Sequence, residues 1–204
     1  MMTTTSTAGS DRFDRSAHPV TPEPTGAGGC VLTIGVFDGF HLGHQQLIAR
    51  TVLEAGRKHV PAVLLTFDPH PLTVVDRART PHQLTTVDQR AEYARAAGID
   101  EVIVMPFTPT LAGTTAEEFA MEVLVDRFRV QSVVVGQNFR FGRDNIGDVT
   151  LLEDIGSELG FDTIAVPMLA LSGRPCSSTQ VRQALQTGDL DLVRQLLGRA
   201  DCTV

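Results

Sequence analysis

Short apolar runs alternate with stretches of helical period from residue 30 onward. Val31–Phe37 (VLTIGVF), Val60–Phe67 (VPAVLLTF), Glu101–Met105, Val130–Val135 and Phe161–Val166 read as five buried strands, the fourth rich in β-branched residues. Between them, His44–Lys58 carries Leu47, Ile48, Val52 and Ala55 on one helical face. Thr86–Ala97 reads as a helix ended by Gly98. Thr115 with Glu118 makes a capping-box pattern that opens a helix to about Phe128, and a further helix is expected near Asp148–Leu159. Two more follow at Ser178–Gln186 and Leu190–Leu197, the last bracketed by Asp189 and Gly198. Strands that are apolar throughout, alternating with helices, predict an α/β fold: a Rossmann-like, doubly wound parallel sheet of about five strands. Ligands of such sheets lie off the carboxyl ends of the strands, at the point where the chain reverses direction across the sheet.

Residues 1–29 break the pattern. Nine Ser/Thr, three Pro and four Gly leave no apolar period, so this stretch is expected to be a disordered tail, with one domain over 30–204. The whole chain has 204 residues and a formal net charge of −7; without the tail 15 basic and 21 acidic residues remain. That balance gives no general basic field for nucleic acid, so a polyanion has to be gripped locally. Cys30, Cys176 and Cys202 are too scattered for a disulfide framework or a zinc cluster. No run suits a membrane span, and the N-terminus does not read as a signal peptide; a soluble, cytoplasmic protein is expected.

Four polar clusters fall after predicted strands. Gly35–His44 (GVFDGFHLGH) puts His41 and His44 where a helix begins, with glycines at 35, 39 and 43 for close backbone approach. Backbone N–H groups and the positive helix end favour an anion there. A zinc site and plain capping or packing histidines are the competing readings, and zinc lacks a third ligand at suitable spacing. Thr66–Pro71 (TFDPHP) holds Asp68 and His70 between Pro69 and Pro71; a rigid turn explains it equally well. Val135–Arg143 interleaves Phe139 and Phe141 with Arg140 and Arg143 between glycines, suited to a planar ring with a charged group; a nucleic-acid platform is the rival. Ser177–Arg182 (SSTQVR) opens a helix with hydroxyls, which binds phosphate or simply caps the helix. No Ser-His-Asp or Cys-His arrangement is evident. Two histidines, an arginine and N–H donors suit charge spreading over a polyphosphate, hence nucleotidyl transfer with Mg²⁺ on the phosphates.

Read together, GVFDGFHLGH, TFDPHP, TTAEEF, VVVGQNFRFG with Gly147-Asp148, SSTQVRQAL and GDLDLVRQLLGR resemble the FAD synthetase module of bacterial bifunctional riboflavin kinase/FAD synthetases, from about Val31 to Arg199. The resemblance implies that FMN attacks ATP, giving FAD and pyrophosphate with Mg²⁺. It implies that His41 and His44 stabilise the ATP phosphates, and that Ser177, Ser178, Thr179 and Arg182 hold the triphosphate from the opposite side. Gly35, Phe37, Asp38 and Gly39 would line the nucleotide site. Asp68, Pro69, His70 and Pro71, with Asn138, Phe139 and Arg140, would lie near FMN; no protein metal ligands are expected. The chain departs from the family where Arg143 is followed by Asp144, Asn145 and Ile146 in place of a basic stretch, and where Cys176 precedes the paired serines. The kinase Pro-Thr-Ala-Asn motif is absent and the chain stops at Val204, so no riboflavin phosphorylation is expected. CTP in place of ATP, another phosphorylated acceptor, and a non-catalytic nucleotide- or flavin-binding module are the alternatives.

Overall fold

In the computed structural model, residues 28–171 and 173–199 are described; all of the expected tail but Gly28 and Gly29 lies outside them, as do residues 200–204 of the expected domain. Five strands form one parallel sheet: β1 Cys30–Ile34, β2 Ala62–Asp68, β3 Glu101–Pro106, β4 Val130–Gly136 and β5 Asp162–Val166, in the order β3-β2-β1-β4-β5. The chain therefore builds outward from β1 through β2 to β3. It then returns to the other side of β1 to add β4 and β5. Register follows directly, with Leu32 beside Val63 on one flank and Val133 on the other.

Successive strand side chains point to opposite faces, and both faces are covered. Leu32, Ile34, Val63, Leu65, Val133 and Val135 pack against Phe119, Val123, Leu124, Leu152 and Ile155. Those residues come from α5 Ala116–Phe119, the π-helical stretch Ala120–Arg127 that continues it, and α6 Val149–Leu159. On the other face Val31, Leu64, Val102 and Val134 meet Ile48 and Ala55 of α1 Leu42–Lys58 and Ala91 and Ala94 of α3 Val87–Ala96. α7 Ser178–Gln186 and α8 Leu190–Leu197 enclose a third, smaller cluster around Val181, Val193 and Leu197. The expected α/β doubly wound sheet is the observed fold.

The local differences concentrate where the chain leaves the sheet. The first strand ends at Ile34 and not at Phe37, because Phe37 takes φ 54° and turns the backbone away. α1 begins two residues before His44, which places His41 at its N-cap. Short helices α2 Pro71–Val75 and α4 Pro109–Ala112 interrupt expected loops, as does the 3₁₀ turn Arg77–Arg79. The serine cluster does not follow β5 directly. A two-stranded hairpin, β6 Ala170–Leu171 with β7 Arg174–Pro175, intervenes.

Candidate functional site

The reversal of winding leaves a crevice between the carboxyl ends of β1 and β4, and two cavities open there. One, of about 320 Å³, is lined by Gly35, Phe37, His41, Gly43 and His44 below, and by Cys176, Ser177, Ser178 and Thr179 opposite. The other, of about 610 Å³, is bounded by Phe67, Leu72, Phe107, Leu111, Phe119, Phe139 and Phe141. Ile34, Gly35, Asn138 and Phe139 belong to both walls. A smaller chamber, in which the two histidines and the hydroxyls of α7 stand among apolar neighbours such as Leu47, Val166 and Met168, thus adjoins a larger one rich in phenylalanines.

His41 caps α1 and is 6% exposed. One helical turn on, His44 lies stacked beneath it, with ring centroids 3.7 Å apart and planes 21° from parallel. Phe37 backs His44 at 5.0 Å. Burial pushes the His41 imidazole down to about 4 against the opposing pull of Asp38. Burial also carries His44 well below its usual value, helped by His41 and Arg90. Both rings are therefore neutral near pH 7 without a ligand, and His44 Nδ1 is buried with no hydrogen-bond partner among the described residues. Two neutral imidazoles so placed offer N–H donors and can take up charge when an anion arrives.

Cys176 stands between the two helix starts. Its Sγ lies 3.7 Å from His41 Nδ1 and 3.5 Å from the Leu196 carbonyl. Burial raises the thiol, while the amides of Leu42 and Gly43 donate to it and lower it. Ser177 caps α7, its Oγ accepting from the Gln180 amide at 3.3 Å. The Ser178 hydroxyl donates to the Asp38 carbonyl at 2.8 Å, tying α7 to the first loop.

Asp38 and Arg182 lie apart from the wall of the smaller cavity. Asp38 is 2% exposed, and its carboxylate accepts from the amides of Leu84 and Thr85, the Thr85 hydroxyl and Arg182. Arg182 Nη2 reaches Asp38 Oδ2 at 2.5 Å and its Nε donates to the His82 carbonyl at 2.7 Å. Gly39 adopts φ 78°, and a Cβ there would come within 2.7 Å of Leu84 Cδ1. Its amide donates to Thr85 Oγ1 at 2.9 Å.

The second cluster meets the larger cavity at Phe67 and Pro71. His70 caps α2, its Nδ1 accepting from the Leu72 amide at 3.1 Å, which leaves its proton on Nε2. Burial lowers its pKa, with Asp38 opposing. Across the cavity Phe139 and Phe141 stack at 5.5 Å, 15° from parallel. Arg140 lines the cavity and pairs with Asp148 at 3.0 Å. Asp68 and Pro69 end β2 and start the turn, on neither cavity wall.

Two arginines near the site escape sequence reasoning. Arg90 in α3 is 0% exposed, and its guanidinium donates to the carbonyls of Val36 and Thr85. The signal was present: Arg90 shares the helical face of Val87, Ala91 and Ala94. Arg199 donates to the carbonyls of Gly39 and Phe40 while lying 4.4 Å over the Tyr93 ring. Among the described residues no three of His, Cys, Asp and Glu gather at metal-binding distance. No helix among them is long and apolar enough to cross a membrane.

A family model described as FAD synthetase matches residues 23–180. The bifunctional riboflavin kinase/FMN adenylyltransferase of Pseudomonas fluorescens is 40% identical over 185 residues, 91% of this chain and 58% of that protein. Its Escherichia coli K12 counterpart is 38% identical over 170 residues, 83% of this chain and 54% of that protein. The chain spans about half the length of these relatives. A crystal structure described as a macrolide-efflux protein from Streptococcus pneumoniae superposes with a TM-score of 0.73 at 26% identity, over 85% of this chain and 56% of that one. Pantoate-beta-alanine ligase from Francisella tularensis shares the fold at TM-score 0.52 and 12% identity, over 86% and 74% of the two chains.

Proposed function

The chain belongs to the FAD synthetase family, and on that premise we propose that it transfers AMP from ATP to FMN, giving FAD and pyrophosphate. The observation that carries this reading is the pair of adjoining cavities. A chamber with two stacked imidazoles facing the hydroxyls of Ser177, Ser178 and Thr179 suits a triphosphate, and a chamber of about 610 Å³ lined by phenylalanines suits a flavin ring. Their shared wall at Gly35, Asn138 and Phe139 is where the two phosphates would meet.

A phosphate oxygen of FMN attacks the α-phosphorus of ATP in line. The new P–O bond forms as the bond to the β-phosphate bridging oxygen breaks, and pyrophosphate leaves with both electrons of that bond. The FMN phosphate is already ionised near pH 7, so no general base is needed. Catalysis is positioning together with stabilisation of charge on the leaving group. His41 and His44 donate to the phosphates, whose charge raises the affinity of both rings for protons. Ser177, Ser178 and Thr179 hold the triphosphate from the α7 side. Arg182 joins them by exchanging the Asp38 carboxylate for phosphate oxygens of like charge. Gly35, Phe37, Asp38 and Gly39 shape the nucleotide loop; Pro71, Asn138, Phe139 and Arg140 border the flavin, and Asp68, Pro69 and His70 form the turn that leads into that wall. Mg²⁺ carried by the ATP phosphates would offset their charge, and among the described residues no three of His, Cys, Asp and Glu are placed to hold it. The reaction belongs to a cytoplasmic enzyme that needs neither nucleic acid nor membrane.

The experiment is pyrophosphate release with ATP or CTP against FMN, riboflavin and other phosphorylated acceptors, with the product identified by chromatography. FAD formed from FMN and ATP is the expected result. Turnover only with another pair would replace the acceptor or nucleotide in this reading. Tight nucleotide binding without any turnover would make the chain a binding module.

A further inference from the structure

We propose that Arg90 is a positioning residue of the phosphate site, holding the loop between β1 and α1 from beneath so that Phe37 and His44 keep their places. The inference rests on the adenylyl-transfer reading above.

An arginine with no exposed surface is unusual unless its donors are met. Here Nη1 donates to the Val36 carbonyl at 3.0 Å, and Nε and Nη2 to the Thr85 carbonyl at 3.4 and 3.3 Å. Burial lowers its pKa, while Asp38 and Asp68 favour the charged form. Desolvating a guanidinium is costly, and the donors must be met by acceptors in return. Those acceptors indicate what the residue holds in place.

Val36 precedes the backbone reversal. Its carbonyl accepts a second bond, from the Thr66 hydroxyl of β2 at 3.1 Å, so two donors fix the orientation of the peptide joining Val36 to Phe37. Phe37 then takes φ 54°, a region that side-chain-bearing residues occupy only when their surroundings demand it. The bend seats the Phe37 ring against His44, and that imidazole stacks on His41. The other acceptor, Thr85, belongs to the strap whose amide and hydroxyl hold Asp38 and whose Oγ1 takes the Gly39 amide. One side chain thus joins the start of the nucleotide loop to the strap that fixes its middle. Releasing the Val36 peptide lets Phe37 relax to negative φ and removes the wall behind His44.

The test compares Arg90→Met and Arg90→Lys with the wild type, using ATP and the acceptor that the wild type uses. Arg90→Met keeps the bulk without the donors. Its kcat should fall on the order of 10²-fold, the scale for displaced catalytic groups, with the KM for ATP little changed. Arg90→Lys retains a charged donor for the Val36 carbonyl and should recover most of kcat. Retained kcat in Arg90→Met would overturn the proposal, as would a loss confined to KM or equal losses in both variants. If Arg90→Met does not fold, Thr66→Val decides: reduced kcat in a folded protein supports the clamp, and unchanged kcat removes it. A wild type silent with every acceptor would instead sink the proposed function. The clamp is then read from the His41 and His44 ring-proton resonances, which should shift in Arg90→Met and return in Arg90→Lys; unmoved resonances would overturn it.

Discussion

His41 and His44 show how much a single residue's role depends on neighbours remote in sequence. Their spacing pointed to an anion site, but their stacking, their neutral state and the Cys176 thiol beside His41 come from tertiary packing. Arg90 is the converse case: its place on the face of Val87, Ala91 and Ala94 was readable in the sequence, but only the fold supplies the carbonyls that accept from it. Removing one preorganised donor to a transition state typically costs 10²–10³ in rate, so His44→Ala should lower kcat by roughly that factor, measured as pyrophosphate release at saturating substrates. His41 also carries a stability signature. Its folded pKa, about 4, lies below the unfolded value near 6.5, so between those limits the unfolded chain binds more protons. Stability present above pH 6.5 is then lost progressively as pH falls towards 4. Thermal melts across this window should show a falling Tm, and His41→Asn should flatten part of the slope; an unchanged slope would mean that His41 does not titrate in this way.

At the scale of elements, what the sequence made legible was set by length and period. The five strands and α1, α3, α6, α7 and α8 are long enough for their apolar spacing to register. α2 and α4, at five and four residues, complete hardly more than one turn, so no period could reveal them. Capping was legible because it is local chemistry: Thr115 and Glu118 satisfy each other's backbone amides at 3.1 and 3.0 Å, and Thr86 and Gln89, a box the sequence reading passed over, do the same at 3.2 and 2.8 Å. That cap starts the helix which carries Arg90. Thr86→Ala should cost about 1 kcal/mol of stability, read from urea unfolding. Because the cap is exposed, a much larger loss would point to the strap at Thr85 and not to the cap. The π-helical continuation of α5 and the β6–β7 hairpin have no comparable local signature, and the hairpin displaced the serine cluster from the end of β5.

The order of strands is a property of the whole molecule, and near-uniform apolar strands do not encode which neighbour each one takes. That order nevertheless creates the crevice, since β1 and β4 are adjacent although about a hundred residues separate them. It also gives the two cavities private walls as well as a shared one, which makes a separation of effects testable. Phe107 lines only the larger chamber and Thr179 only the smaller. Phe107→Ala removes apolar contact worth about 1.5–3 kcal/mol, so the KM for FMN should rise roughly tenfold or more while that for ATP stays put. Thr179→Ala should do the reverse, weakening ATP severalfold through a lost hydroxyl bond of about 1 kcal/mol. Asn138→Ala, on the shared wall, should move both constants together. Steady-state kinetics on the three variants, each with its Tm checked, distinguish this arrangement from a single undivided pocket. In an undivided pocket Phe107→Ala and Thr179→Ala would disturb both substrates alike, and the assignment of one chamber to each substrate would fall.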